Sequence, residues 1–373
     1  MAKNFTAPLF PILPSSGTLM RGMGKIAQLG ATVDRGHEVE FRSLGVRSIL
    51  NKSVSRRRLS FSRSVNPYRG CEFACRYCYA RYTHEYMELR KPEDFEKKIF
   101  VKQNAAWLLE QELRRLEPGE EIALGTATDP YQPIERRARV TRSLLEVFAA
   151  RRGYRLGIVT KSTLITRDID VLERISAQNE LVIHITVTTP DPKLARILEP
   201  RAPRPDLRLR TVAKLRKAGL RAGILCSPLL PGITDTLEAL TTMAQRAKDT
   251  DASFFAAQPL FLKPCSRETY LAFIRQHFPA LESLYRFRFD GRDFVSKDYA
   301  QRMEALVEGV TQKYGLARRS TDALLTRDVG QRGRETPACG TSQATLWPER
   351  KPPQRASAPS SAEELKSYRV TGR

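Results

Sequence analysis

Residues 66–79 read Asn66-Pro67-Tyr68-Arg69-Gly70-Cys71-Glu72-Phe73-Ala74-Cys75-Arg76-Tyr77-Cys78-Tyr79, a C-x3-C-x2-C spacing. A run this short can bring three thiolates onto one metal centre. The other three cysteines, Cys226, Cys265 and Cys339, stand alone, so the six do not form a disulfide framework. In a long chain without a secretion signal such a cluster reads as metal-binding rather than cross-linked. A structural zinc normally takes four protein ligands, and His84 is the one nearby candidate for the fourth. A [4Fe–4S] cube on three thiolates instead leaves one iron without a protein ligand, and that iron can bind a small molecule and pass it an electron. Buried free thiols are the remaining alternative.

Outward from this loop, short apolar runs alternate with longer amphipathic segments. The runs Leu59–Ser64, Glu121–Thr126, Leu156–Thr160, Leu181–Val187, Arg221–Cys226 and Ser253–Gln258 are too short for helices and predict strands. Segments Phe95–Leu116, Val140–Arg152, Thr166–Ile175, Leu207–Ala218, Leu237–Lys248 and Arg267–His277 carry apolar residues at i, i+3 and i+4 and predict helices. Strands alternating with helices give parallel βαβ units, hence an α/β fold. The strand ends then carry polar signatures: Thr126-Ala-Thr-Asp, Thr160-Lys-Ser, Thr186-Val-Thr-Thr and Ser227-Pro-Leu-Leu-Pro-Gly. Chemistry in such folds gathers at the C-terminal ends of strands, so one site built from several strand ends is the economical reading.

The ends of the chain differ from this middle. Residues 1–45 mix Pro, Gly and polar residues without a period and read as an irregular lead-in to a core domain over 46–300. A helix is expected over 301–319, and residues 320–373, rich in Pro, Ser, Gly and Thr, are expected to be a flexible tail without a core, Cys339 included. A short helix could form within it over 362–368. Of the 373 residues 41% are hydrophobic and 28% charged, enough to bury a core. No apolar run approaches the length of a membrane span, and Pro8, Pro11 and Pro14 break up any signal-like apolar stretch. A cytoplasmic protein is expected.

The net charge is +22, and residues 320–373 contribute little of it, with nine basic against six acidic residues. From Arg42 to Gly70 there are eight basic residues and no acidic one. A basic stretch leading into the cysteine loop, interleaved with Phe61, Tyr68, Tyr79 and Tyr82, is the footprint of phosphate binding with bases stacked on rings. No helix-turn-helix, zinc-finger or RNA-recognition signature accompanies it, so sequence-specific readout is not indicated.

The cysteine loop, with aromatic Tyr77 just before its third cysteine, resembles the signature of the radical S-adenosylmethionine (SAM) superfamily. The wider string from Asn66 to His84, with Thr128-Asp-Pro-Tyr-Gln-Pro-Ile-Glu135, Thr160-Lys161-Ser162, Glu199-Pro and Pro228-Leu-Leu-Pro-Gly232, resembles its spore photoproduct lyase branch. The likeness runs over about residues 40–300. It implies a partial (β/α)6 TIM-like barrel, in line with the six units, and a [4Fe–4S] cluster on Cys71, Cys75 and Cys78. It further implies that the open iron chelates the amino and carboxylate groups of SAM. One electron then yields methionine and a 5′-deoxyadenosyl radical that takes hydrogen from a substrate. By the same likeness Thr128 meets the SAM amino group and Lys161 its carboxylate. Thr186 or Thr188 offers a hydroxyl, and Tyr77 lies against the adenine. An electron donor such as a flavodoxin or ferredoxin is implied as well.

One departure from the branch is visible. Where spore photoproduct lyases carry a cysteine that returns a hydrogen atom to the product radical, this chain has Thr126, whose O–H bond is too strong for that task. Cys226 and Cys265, near the ends of the fifth and sixth strands, are alternative thiols, though each also fits a small buried hydrophobe. The leading expectation is a radical SAM enzyme acting on a damaged nucleic acid base. Its rivals are the same chemistry on a protein or small molecule, and a non-catalytic, metal-stabilised nucleic-acid-binding protein.

Overall fold

A computed structural model describes residues 39–52 and 62–318, together with strand 32–35 and residues 22, 23 and 26. The expected tail, its 362–368 helix and Cys339 lie outside the described residues, as do most of the lead-in, Arg56–Arg58 and Phe61.

Eleven strands are present among the described residues: β1 Thr32–Arg35, β2 Glu40–Ser43, β3 Leu50–Lys52, β4 Arg63–Val65, β5 Tyr68–Arg69, β6 Lys98–Val101, β7 Glu121–Leu124, β8 Arg155–Thr160, β9 Glu180–Thr186, β10 Ala222–Leu229 and β11 Phe255–Pro259. The main helices are α1 Ala105–Leu113, α2 Val140–Ala149, α3 Ile169–Gln178, α4 Pro192–Leu198, α5 Pro205–Lys217, α6 Leu237–Asp249, α7 Pro264–His277, α8 Glu282–Phe289 and α9 Lys297–Tyr314. Strands β4 and β7–β11 form one sheet, in order β11-β10-β9-β8-β7-β4, with β3 antiparallel at its edge. Every neighbouring pair from β4 to β11 is parallel. These six are the six predicted strands, each within a few residues of its expected bounds.

Their order in space is their order in sequence. A doubly wound sheet reverses its strand order at a switch point, whereas a barrel adds each strand beside the last. The topology is therefore of the barrel type, and the strand order does not close on itself among the described residues. Alternation along the strands sorts the side chains. Ile122, Leu124, Leu156, Ile158, Ile183, Ile185, Ile224 and Phe255 join the large core under the helices, while Val182, Leu225, Phe254 and Ala256 form a small cluster with Val159. Each fully buried aliphatic contributes about 1.5–3 kcal/mol by leaving water. The C-terminal helix, expected over 301–319, runs instead over Lys297–Tyr314 and buries Tyr299, Met303, Val307 and Val310.

The expected helix Phe95–Leu116 is corrected. It breaks into a single turn at Asp94–Lys97, strand β6 and helix α1. Ile99-Phe100-Val101 is a β-branched and aromatic run, and it finds partners in β2, parallel, and β5, antiparallel. The resulting four-stranded sheet, β1-β2-β6-β5, delivers the chain from β5 straight into the cysteine loop. No helix of the described residues is long and apolar enough to cross a membrane.

Candidate active site

The cysteine loop is tied down along its length. Gly70 turns with φ of +82°, and a Cβ there would lie 2.8 Å from the Phe95 carbonyl oxygen, so only glycine fits. The Cys71 N–H donates to the Phe95 carbonyl at 2.9 Å and the Arg76 N–H to that of Leu198 at 2.9 Å. Ser266 Oγ, in the first turn of α7, donates to the Cys78 carbonyl at 2.6 Å. The Gly70 carbonyl accepts from Thr128 Oγ1 at 2.6 Å and Gln132 Nε2 at 3.2 Å. Gln132 also receives the Glu72 N–H on its Oε1 at 3.0 Å. Arg81 is buried against the loop, where it pairs with Glu96 at 2.7 Å and reaches the Cys75 carbonyl at 3.4 Å.

Two carboxylates that the sequence reading gave no role organise the strand ends, and one of them, Glu199, reaches the loop. Asp129, just past β7, accepts from Thr160 Oγ1 at 2.6 Å, the Lys161 N–H at 2.7 Å and the Tyr131 N–H at 2.9 Å. It thereby fixes the ends of β7 and β8 to each other. Glu199, just past α4, accepts from the Tyr77 hydroxyl, from Thr188 Oγ1 at 2.9 Å and from Arg208 Nη1 at 2.5 Å. Burial alone would raise the Glu199 carboxyl, but Arg208, Lys161 and the Tyr77 hydroxyl outweigh it and hold it below the usual range. Tyr77 is thus held by its hydroxyl, which also lies 2.9 Å from Thr188 Oγ1.

Of the four expected SAM contacts, Lys161 and Tyr77 are brought together, with the Lys161 ammonium 5.7 Å from the Tyr77 ring centre. Lys161 is half-buried at the end of β8 and has no carboxylate within ion-pair distance among the described residues. Burial opposes its charge, yet Cys75 and Glu199 more than offset this and raise it. Thr186 ends β9; its carbonyl accepts from Arg208 at 3.2 Å, while its hydroxyl makes no hydrogen bond among the described residues. Thr128 uses its hydroxyl on Gly70 and receives Gln132 Nε2 at 3.0 Å.

Other sequence readings change. Tyr68, expected among base-stacking aromatics, is 1% exposed, with its hydroxyl on Glu135, which also binds Arg167 at 2.8 Å. His84 lies between Phe95 and Phe100 with Nε2 2.9 Å from the Lys98 carbonyl, so its ring nitrogen serves the β6 backbone. Cys226 sits in the large core with its thiol directed at the Thr188 carbonyl at 3.8 Å. Cys265 opens α7 beside the Tyr79 carbonyl at 3.9 Å. Thr126 offers its carbonyl to the Tyr79 hydroxyl and its Oγ1 to Asn66 Nδ2 at 3.3 Å.

Cys71, Cys75 and Cys78 are all free thiols, the first two buried and the third half-buried. Burial pushes all three thiols up, Cys75 to about 12, so each must lose a proton to bind metal. Among the described residues no three His, Cys, Asp or Glu side chains are grouped to hold a single metal ion. Three thiols on one anchored loop, without a fourth protein ligand, fit a four-iron cluster, which distributes its ligands over separate irons.

The profile of the Radical SAM superfamily matches residues 65–244, from the loop through β10 to α6. The chain belongs to the radical SAM superfamily and is an enzyme of that class. It is 34% identical over 282 residues to the uncharacterized protein Rv2578c of Mycobacterium tuberculosis, covering 75% of this chain and 82% of that one. The uncharacterized protein MJ0683 of Methanocaldococcus jannaschii is 28% identical over 171 residues, 46% of this chain and 61% of that one. Among solved structures, spore photoproduct lyase complexed with dinucleoside spore photoproduct superposes with a TM-score of 0.54 at 16% identity, covering 75% of this chain and 81% of that one. That likeness is one of fold.

Proposed function

We propose that Cys71, Cys75 and Cys78 hold a [4Fe–4S] cluster, that SAM binds over it, and that the substrate is a nucleic acid carrying a damaged base. When bound, the cluster passes one electron to the SAM sulfonium, giving methionine and a 5′-deoxyadenosyl radical that takes a hydrogen atom from the substrate. The electron comes from a small donor protein such as a flavodoxin or ferredoxin.

The observation that carries this reading is the Lys161 ammonium, half-buried near the Cys75 and Cys78 thiols and without a carboxylate at ion-pair distance among the described residues. A cation held there at a cost in desolvation is suited to a carboxylate ligand such as that of SAM. The unengaged Thr186 hydroxyl offers a further hydrogen bond, whereas the Thr128 hydroxyl is taken up by Gly70 and Gln132 and lends the reading no support. Tyr77, its hydroxyl fixed by Glu199, presents a ring of set orientation to the adenine. The net charge of +22 supports a nucleic acid substrate.

Equilibrium binding of SAM to the reconstituted protein tests the site. Lys161→Ala is expected to keep the cluster absorbance and weaken SAM by about 10- to 100-fold, the range for losing a charged hydrogen-bond partner. Unchanged SAM affinity would remove Lys161 from the site.

A further inference from the structure

Beside the cysteine loop the chain exposes rings and cations that the SAM site does not use. Tyr82 follows Cys78 by four residues and meets Tyr86 edge-on, ring centres 6.1 Å apart; Tyr86 is 66% exposed. The Lys263 ammonium lies 5.4 Å from the Tyr82 ring centre. Arg69, at the end of β5, spends one N–H on the Thr83 carbonyl at 3.1 Å, and its buried Nε has no partner. Neither Arg69 nor Lys263 has a carboxylate within ion-pair distance among the described residues, though Glu85 is exposed on the same turn as Tyr82. A second row of rings starts one residue after Cys78: Tyr79 packs on Phe261 at 4.6 Å, and Phe261 stacks on the part-exposed Phe294 at 5.5 Å.

Both rows are fixed to the loop. Lys263 caps α7, whose Ser266 holds the Cys78 carbonyl, and Tyr82 continues the chain from Cys78. Arg69 is a half-buried cation with one carbonyl partner and no carboxylate at ion-pair distance, so its remaining terminal N–H groups are free to meet an anion. An exposed Tyr86 and a half-buried Tyr82 next to cations without carboxylate partners suit a ligand that alternates flat apolar faces with negative charges. Such a ligand is a single strand of nucleic acid, whose bases stack on rings while its phosphates meet cations.

We infer that Tyr82 and Tyr86, with Arg69 and Lys263, form a docking platform for single-stranded nucleic acid next to the mouth of the SAM site. This rests on the nucleic acid reading above and adds to it the surface that takes the strand. The platform recognises no sequence, because every base has a stacking face and every nucleotide a phosphate.

The test is fluorescence anisotropy with full-length, reconstituted protein and a labelled 12-nucleotide single strand, DNA and RNA in turn, over a salt series. Tyr86→Ala is expected to weaken binding by about 5- to 100-fold. Lys263→Gln is expected to lower the slope of log K against log salt by about 0.7, one phosphate contact. Trp107→Ala removes an exposed ring on α1 that has no ring contact with either row, and is expected to change nothing. Melting temperatures of the variants check that each folds. Wild-type binding that Tyr86→Ala and Lys263→Gln leave unchanged, or that Trp107→Ala weakens equally, overturns the platform and leaves the nucleic acid reading standing. A wild-type protein that binds neither strand at low salt overturns both.

Discussion

Two arginines on either side of the cysteine loop show how the molecule uses positive charge. Arg208 is 1% exposed: its Nη1 meets Glu199 and, at 3.2 Å, the Thr186 carbonyl, and its Nε donates to the Pro203 carbonyl at 2.7 Å. Arg69 is half-buried with one carbonyl partner and no carboxylate. The first is a closed structural pair that sets Tyr77 and Thr188 in place. The second has no carboxylate at ion-pair distance among the described residues; neither has Lys161, whose charge Cys75 and Glu199 favour from further off. Arg208 builds the site, whereas Arg69 and Lys161 are the cations to which we assign anionic ligands.

The largest effect expected from breaking this contrast is at Arg208. Arg208→Met leaves Glu199 buried without its cation and should cost about 3–5 kcal/mol in denaturant unfolding, while adding Glu199→Gln should recover most of that loss. A single variant within 1 kcal/mol of the parent would show that the pair is not closed.

Acid sharpens the same contrast at the other side of the loop. Burial lowers His84 to about 4 from an ordinary 6.5, despite the Lys98 carbonyl that favours its charged form. Between these values the unfolded chain takes up a proton that the folded chain refuses. Its contribution therefore makes stability fall with falling pH, by about 1.4 kcal/mol per unit from pH 6.5 towards 4, with no effect above 6.5. The imidazole NMR shifts of His84 should stay those of the neutral ring down to about pH 4; titration near 6.5 would place the ring in water.

The smallest effect is expected where charge is paired but wet. Arg210 and Asp206 meet at 2.8 Å on the exposed face of α5. Asp206→Asn should change stability by less than about 0.5 kcal/mol, since exposed pairs of this spacing contribute little. Asp206 also meets Arg204 at 3.0 Å, so a larger loss in the unfolding curve would mean that these two exposed pairs act together.

The parallel sheet was legible because each of its strands is an apolar run bounded by turn residues, and the candidate cysteine loop stood out because its three thiols fall within eight residues. The sheet around β6 was not. Ile99-Phe100-Val101 lies within a helical apolar period, and its partners in β2 and β5 are distant enough that only tertiary pairing decides. Asp129, Gln132, Glu199 and Arg208 were also missed as site-builders. A buried carboxylate or amide in the sequence is indistinguishable from a surface one until its partners are known. Their strings were visible, Thr128-Asp129 and Glu199-Pro200 among them, but their work is done through hydrogen bonds across 30 residues or more on the Asp129 side and to Tyr77 on the other. Tyr68 erred the opposite way: an aromatic in a basic stretch looks like a stacking ring, yet its hydroxyl has a buried carboxylate to meet.

The central claim is that three thiols and an unpaired lysine at the strand ends make a SAM-cleaving site. Its most direct test is anaerobic reconstitution with iron and sulfide, reduction with dithionite, addition of SAM, and assay for 5′-deoxyadenosine. The account predicts that product from the parent protein and none from Cys71→Ala, Cys75→Ala or Cys78→Ala, which should also lose the cluster absorbance. Stoichiometric zinc in the parent with no cluster, or a full cluster in any of the three variants, would contradict it.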